Sequence, residues 1–351
     1  MLPEDIDKES AVSKGRSRFL LFVISEGLSS ISIPNGNCFM KAKILLLGLV
    51  FILSPLLTGH ADAARISSFT VSPTATSFAD QDPDSYGEVT SSPSLAVNFS
   101  ITGLNANQSW TLDILANTNL VSGSSTIPAG NIRWTVTGSG TPNPTFYNNT
   151  LVLGSYVSAG TGRGQASGNA NITSTFYFYL RNYWTYSTGN YSGTVTFRLT
   201  VPRANGGTRT STQTITLSTN IAARAKLQFG LLAMSFPDAD PDTVPSNPAN
   251  VNPLSVTSSA RTRSSSTATL TCLASGDLAS GANTIAISNM TWTATGTGYV
   301  AGTMNRTTAQ TAGSWTGPGQ HPGTFSYFVT NLWSYVIGSY STTITYTLNS
   351  P

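Results

Sequence analysis

FYFYLRNYWTYSTGNYSGTVTFRL, residues 176–199, has a partner in FSYFVTNLWSYVIGSYSTTITYTL, residues 325–348. Each stretch holds two runs of alternating side chains separated by an aromatic corner. In the later run Val195, Phe197, Leu199 and Val201 alternate with Thr or Arg, and Ile344, Tyr346 and Leu348 alternate with Thr. In the earlier run Phe176, Phe178 and Leu180 match Phe325, Tyr327 and Val329. A period of two sends successive side chains to opposite faces, so every run predicts a strand with one buried and one wet face. The opposite face of the earlier run holds Tyr177 and Tyr179 in the first stretch but Ser326 and Phe328 in the second.

Working outward, the likeness continues upstream at an offset of 158 residues. SFADQDPDS (77–85) matches SFPDADPDT (235–243), and WTLDILA (110–116) matches ATLTCLA (268–274). IRWTVTGSG (132–140) matches MTWTATGTG (290–298), which pairs Trp134 with Trp292. The offset then falls to 149, a loss of nine residues from the second copy. Such agreement implies duplication of one domain, and each copy is long enough to bury its own core. Short alternating runs between turn residues, with no sustained helical period, predict an all-β chain of two tandem homologous immunoglobulin-like antiparallel β-sandwich domains. We place the first at 64–224 and the second at 225–351, because AKLQFGLL (225–232) resembles ARISSFTV (64–71). Between them lie the turn Asn205-Gly206-Gly207 and an extra strand, TQTITLSTNI (212–221). Each N-terminal strand is expected to close its own sandwich, with a swap between copies or molecules as the alternative.

The segment from Met40 has two lysines, an apolar run from Ile44 to Leu57 and a small-residue end at Ala61-Asp62-Ala63, the layout of a secretory signal peptide over 40–63. The run is short for a membrane span, so the mature chain is expected to begin at Ala64 with no membrane span. Residues 1–39 read as a mis-called upstream extension. The mature chain carries twelve basic and nine acidic residues, a net charge of +3, and eleven of the twelve are arginines scattered singly. Nucleic-acid binders cluster such charges on one face, so no nucleic-acid partner is expected. The expected location is extracellular or at a bacterial cell surface.

The catalytic inventory is poor. Cys272 is the one cysteine after residue 63 and falls opposite Ile114, which reads as a core position rather than a nucleophile. His321, the one histidine after residue 63, lies in GPGQHPG and reads as a loop residue. Paired-carboxylate hydrolysis needs two acids across a cleft. Outside the Asp-rich stretches only Glu88, Asp113 and Asp277 remain, and since Asp113 falls opposite Thr271 and Asp277 opposite Asn119, the duplication keeps neither acid. No enzyme activity is expected.

Asp80, Asp82 and Asp84 with Asp238, Asp240 and Asp242 are six of the nine acids. Alternate carboxylates can converge on a cation, and calcium takes six to eight oxygens, so calcium is the candidate cofactor. The other reading, which we prefer, is a turn fixed by Pro83 and Pro241 and capped by Asp side chains. The aromatic corners keep Trp184/Trp333, Tyr186/Tyr335 and Tyr191/Tyr340 at fixed spacing. They read as packed corners, so Trp134, Trp292, Trp184, Trp333, Tyr191, Tyr340 and Cys272 are assigned to the structural core. Tyr177, Tyr179 and Tyr183, found in the first copy alone, are the candidate glycan-stacking face.

The ending G-x-Y-x-x-x-V-T-F-x-L (189–199) resembles the closing strand of secreted bacterial immunoglobulin-like domains and of spore-coat-U-type pilus-related subunits. The resemblance covers about twenty residues per copy, and the paired cysteines of many spore-coat-U-type proteins are missing. It implies a structural or adhesive surface or matrix protein without catalytic activity, partnered by other surface proteins or by itself. A glycan-binding module, calcium-stabilised, is the alternative.

Overall fold

A computed structural model describes residues 64–203 and 206–351. The expected signal peptide, its cleavage site, the upstream extension and the tip residue Asn205 lie outside the described residues. Those residues form strands and two 3-10 turns, Ala129–Asn131 and Ile287–Asn289, and no α-helix. Among them no helix is long and apolar enough to cross a membrane.

The main strands of the first copy are β1 (Arg65–Ser72), β2 (Ala75–Phe78), β3 (Glu88–Ser92), β4 (Leu95–Thr102), β5 (Ser109–Ala116), β6 (Ile132–Thr141), β7 (Val157–Arg163), β8 (Asn169–Arg181), β9 (Gly189–Pro202) and β10 (Thr208–Ile221). One layer runs β1-β4-β8-β6, with β3 joining the far end of β8. The facing layer runs β7-β5-β9-β10-β2. All these pairings are antiparallel except β10 with β2, which is parallel. Alternation explains the ladders: Ala170, Ile172, Ser174, Phe176, Phe178 and Leu180 of β8 all point inward, facing Val195, Phe197, Leu199 and Val201 of β9. Phe197 meets Phe176 edge-on at 5.2 Å between ring centroids.

The second copy contains β11 (Arg224–Phe229), β12 (Ser246–Pro248), β13 (Leu254–Arg261), β14 (Thr267–Ala274), β15 (Met290–Thr295), β16 (Gln310–Thr316), β17 (Gly319–Thr330) and β18 (Ile344–Asn349). Its first layer, β11-β13-β17-β15, repeats β1-β4-β8-β6 pairing by pairing. Among the described residues its second layer is β16-β14-β18. The copies have separate hydrophobic cores, and β1 and β11 each pair within their own copy. Arg224, placed in the first copy on sequence, opens the second copy's ladder opposite Arg261.

Trp134 and Trp292 occupy like surroundings. Both are buried, and their indole N–H groups donate to the carbonyls of Tyr147 (3.0 Å) and Val300 (2.8 Å). Cys272 is buried in β14, as its match with Ile114 requires. His321 departs from expectation. It lies in β17 opposite Ser258, with its ring stacked on Trp315 at 5.0 Å. The glycines and prolines around it signal a turn, yet pairing with β13 holds the segment extended.

Candidate functional site

Two places in this fold are unlike a closed sandwich, and both trace to the duplicated motifs. The first is the junction between copies. Asp80, Asp82 and Asp84 lie on the loop between β2 and β3, beside the corner Asn182-Tyr183-Trp184 that follows β8. Asn182 ties the two together by donating to the carbonyls of Gln81 (3.1 Å) and Tyr86 (2.9 Å). The Trp184 indole donates to Asp84 at 2.8 Å.

Into this cradle the second copy sends Arg261 from the end of β13, its side chain 0% exposed. A buried guanidinium is tolerable only if it is paired and its donors are used. All five N–H groups are. Nη1 bonds Asp80 at 2.7 Å and the Gln81 carbonyl at 3.2 Å. Nη2 bonds Asn182 and the Tyr183 carbonyl, and Nε bonds the same carbonyl at 3.2 Å. Burial draws the Arg261 pKa below the ordinary arginine value, and Asp80 opposes the shift. Around it Arg224 meets Asp80 at 3.3 Å, and Lys226 meets Asp84 at 2.6 Å. The Lys226 bond, helped by Trp184, holds the Asp84 carboxyl below its usual range.

The aspartates of the first copy therefore face cationic side chains. Among the described residues no group of three or more His, Cys, Asp or Glu side chains is close enough to hold a metal ion. Both loops are also Asx-capped turns: Asp82 accepts from the Asp84 amide and Asp240 from the Asp242 amide, each at 2.9 Å.

The aromatic corner behaves as a packed corner in the first copy. Tyr191 donates to the Ser187 carbonyl at 2.8 Å, and Tyr186 donates to the Arg181 carbonyl at 3.0 Å while accepting from Asn131. Burial raises both hydroxyls' pKa values, so they stay protonated donors. Gly189 holds a φ of 153°, which side-chain-bearing residues rarely adopt, and a Cβ there would also meet the Ser122 hydroxyl. In the second copy Tyr340 donates to the Val336 carbonyl at 2.8 Å and Tyr335 accepts from Asn289 at 3.0 Å. Trp333 overturns its assignment to the core: it is 71% exposed where Trp184 is 5% exposed. Trp184 lies at the junction, with the Arg261 guanidinium 6.0 Å from its ring, and among the described residues no cation is placed over Trp333 in the same way.

The second unusual place is the outer edge of β18. In the first copy β9 pairs with β10 along fourteen residues, Gly189–Pro202 against Thr208–Ile221, and Thr216–Thr219 of β10 pair in turn with β2. Ile215, Leu217 and Ile221 of β10 close the core over Phe78 and Phe197. Among the described residues nothing pairs with the outer edge of β18. Ala233–Phe236, the match of β2, forms no strand. As a result Ile344, Tyr346 and Leu348 are only half-buried, as are Phe229, Met234 and Phe236, while Leu232 is 94% exposed.

The candidate glycan residues do not form one face. Tyr177 and Tyr179 share the outer side of β8, Tyr177 37% exposed and Tyr179 covered by the Arg133 guanidinium at 4.1 Å, whereas Tyr183 belongs to the junction. The remaining acids are structural. Glu88 chelates Arg133, Asp113 pairs with Arg198 at 2.9 Å, and Asp277 pairs with Arg306 at 2.7 Å. Asp277 also accepts from the Ile287 amide as Asn119 does from the Ala129 amide, so the acid repeats an asparagine's task. Sequence reading missed Arg261 and the open edge.

No family model and no curated protein matches the sequence. Among solved structures the chain is similar to a chain of the CsuC-CsuE chaperone and tip adhesion subunit pre-assembly complex from the archaic chaperone-usher Csu pili of Acinetobacter baumannii, at 12% identity over 80% of this chain and 99% of that one, TM-score 0.29. It is similar to a chain of a chaperone and tip adhesin complex of CFA/I fimbriae at 13% identity, over 80% of this chain and 97% of that one, TM-score 0.29. It is also similar to the CupB6 tip adhesin of Pseudomonas aeruginosa at 9% identity, over 82% and 91% of the two chains, TM-score 0.26.

Proposed function

We propose that this chain is an exported, non-catalytic structural or adhesive protein of a bacterial surface assembly, and that a strand from outside the described residues completes its second copy beside β18. The carrying observation is the contrast between β9, covered by β10, and β18, whose outer edge has no partner among the described residues. An open edge with half-buried apolar side chains is a template for strand addition, in which main-chain hydrogen bonds give affinity and alternate side chains fill the core. The signal-peptide layout of residues 40–63 and the spore-coat-U-like closing strand support the same reading.

A peptide of residues 208–221 tests it. Added to the full chain, it should slow amide exchange in β18 and in 233–236 and raise the melting temperature of the second copy. Exchange and melting that do not respond would reject strand completion. The exposed ring of Tyr177 favours a second reading, glycan binding by the first copy. A glycan array showing specific binding that Tyr177→Ala abolishes would support it, and a blank array would dismiss it.

A further inference from the structure

The cradle that seats Arg261 is built twice and filled once. The second loop keeps the same internal ties. Asn331 donates to the carbonyls of Ala239 (2.9 Å) and Val244 (3.2 Å), as Asn182 does to those of Gln81 and Tyr86. Trp333 donates to Asp242 at 3.1 Å, as Trp184 does to Asp84. In the first copy these residues ligate three cationic side chains. Among the described residues none of the chain's ion pairs involves Asp238, Asp240 or Asp242. Trp333 stands exposed beside them, with Leu332 and Ile337 also exposed.

Chain direction says where a cation would come from. β10 runs parallel to β2, with Thr219 opposite Phe78, so its last residues arrive beside the Asp80 loop. Ile221 ends β10, and Arg224 and Lys226 follow at three and five residues to meet Asp80 and Asp84. A strand filling the bare edge of β18 in the same sense would run parallel to Ala233–Phe236 and deliver its downstream residues to the Asp238 loop.

We propose that Asp238, Asp240, Asp242, Asn331 and Trp333 form a second cation socket. Its occupant is the basic segment immediately downstream of the strand that a partner polypeptide lays beside β18, with Arg or Lys three and five residues after the strand's last buried apolar side chain. This rests on the strand completion proposed above and adds the charge pattern by which the partner is recognised. Opposite charges brought together in a partly desolvated site raise affinity and make it salt-dependent.

The test uses the full chain and two synthetic peptides, residues 208–221 and residues 208–228, the second extended through Arg224 and Lys226. Titration calorimetry should show the longer peptide binding roughly tenfold more tightly at low salt, the size of two partly buried ion pairs. That advantage should vanish in high salt, in the chain carrying Asp238→Asn, Asp240→Asn and Asp242→Asn, and in the longer peptide carrying Arg224→Ser and Lys226→Ser. The peptide substitutions leave the protein untouched, so a misfolded variant cannot imitate the result. Equal affinities for the two peptides, or an advantage that survives the peptide substitutions, would overturn the socket while leaving strand completion standing. If neither peptide binds, both proposals fall.

Discussion

At the scale of single residues, identical motifs have unlike energetics because of what covers them. Asp80→Asn removes the carboxylate partner of a fully buried arginine, and breaking one side of such a pair costs about 3 kcal/mol. Asp238→Asn alters an exposed acid without an ion-pair partner and should stay within about 0.5 kcal/mol. Urea unfolding of both variants checks the contrast, and equal losses would remove Arg261 as the junction's anchor. Cys272 is a second residue with a definite expectation. Burial pushes its thiol up to about 11, and the thiolate is the reactive form. A thiol reagent at pH 7 should therefore label Cys272 of the folded chain only at the rate of unfolding, read by peptide mapping, and fast labelling at that residue would contradict the buried assignment. The sequence could place Cys272 because its neighbours alternate. It could not separate Trp184 from Trp333, since both sit in the same motif and differ in burial only through what distant parts of the chain bring beside them, Arg261 among them.

At the scale of elements, the strands were legible and the sheet edge was not. Alternation at 176–199 and 325–348 finds β8, β9, β17 and β18, because a period of two follows directly from one face being buried. The run TQTITLSTNI announces a strand too, yet what it does depends on which strands flank it. Only the pairings show it wedged between β9 and β2, and among the described residues they show no counterpart beside β18. GPGQHPG misled for the converse reason, because strong turn residues are held extended by their pairing with β13. Appending TQTITLSTNI after Pro351 through a flexible Gly-Ser linker should supply the missing element in cis. The expected outcome is a higher melting temperature, with Tyr346 and Leu348 losing accessibility. A variant with Ile215 and Leu217 of the appended segment replaced by Ser should lose that gain, since each buried aliphatic side chain contributes about 2 kcal/mol. An equal gain from the Ser version would mean that the segment acts without filling the core.

At the scale of the whole chain, two separate cores are coupled through one ionic junction, and that coupling is sensitive to acid. Asp84 has its carboxyl held below the ordinary 3.8, first by the bond from Lys226, then by Trp184, with burial opposing. A lowered folded-state value means that the unfolded chain takes up the proton first on acidification. The stabilisation is thus complete above about pH 4 and is lost as the pH falls through the folded value. Lys226 mirrors this at the alkaline end: the same bond raises its pKa above 10.5, so its share is complete below that value and lost as the pH rises through the folded one. Between pH 5 and 8 neither group titrates, and junction stability should be flat. Tryptophan fluorescence can follow this, since Trp110 and Trp134 report the first core while Trp292 and Trp315 report the second. The second core, lacking the cover that β10 gives the first, should unfold at lower urea, and below pH 4 the gap between the two transitions should widen as the junction weakens. Lys226→Met removes the cation that lowers Asp84 and should blunt the acid-dependent widening while leaving the first core's own midpoint in place. If that variant widens as the parent chain does, the acid response originates elsewhere, with Glu88, also held below its usual range by Arg133, the next carboxylate to test.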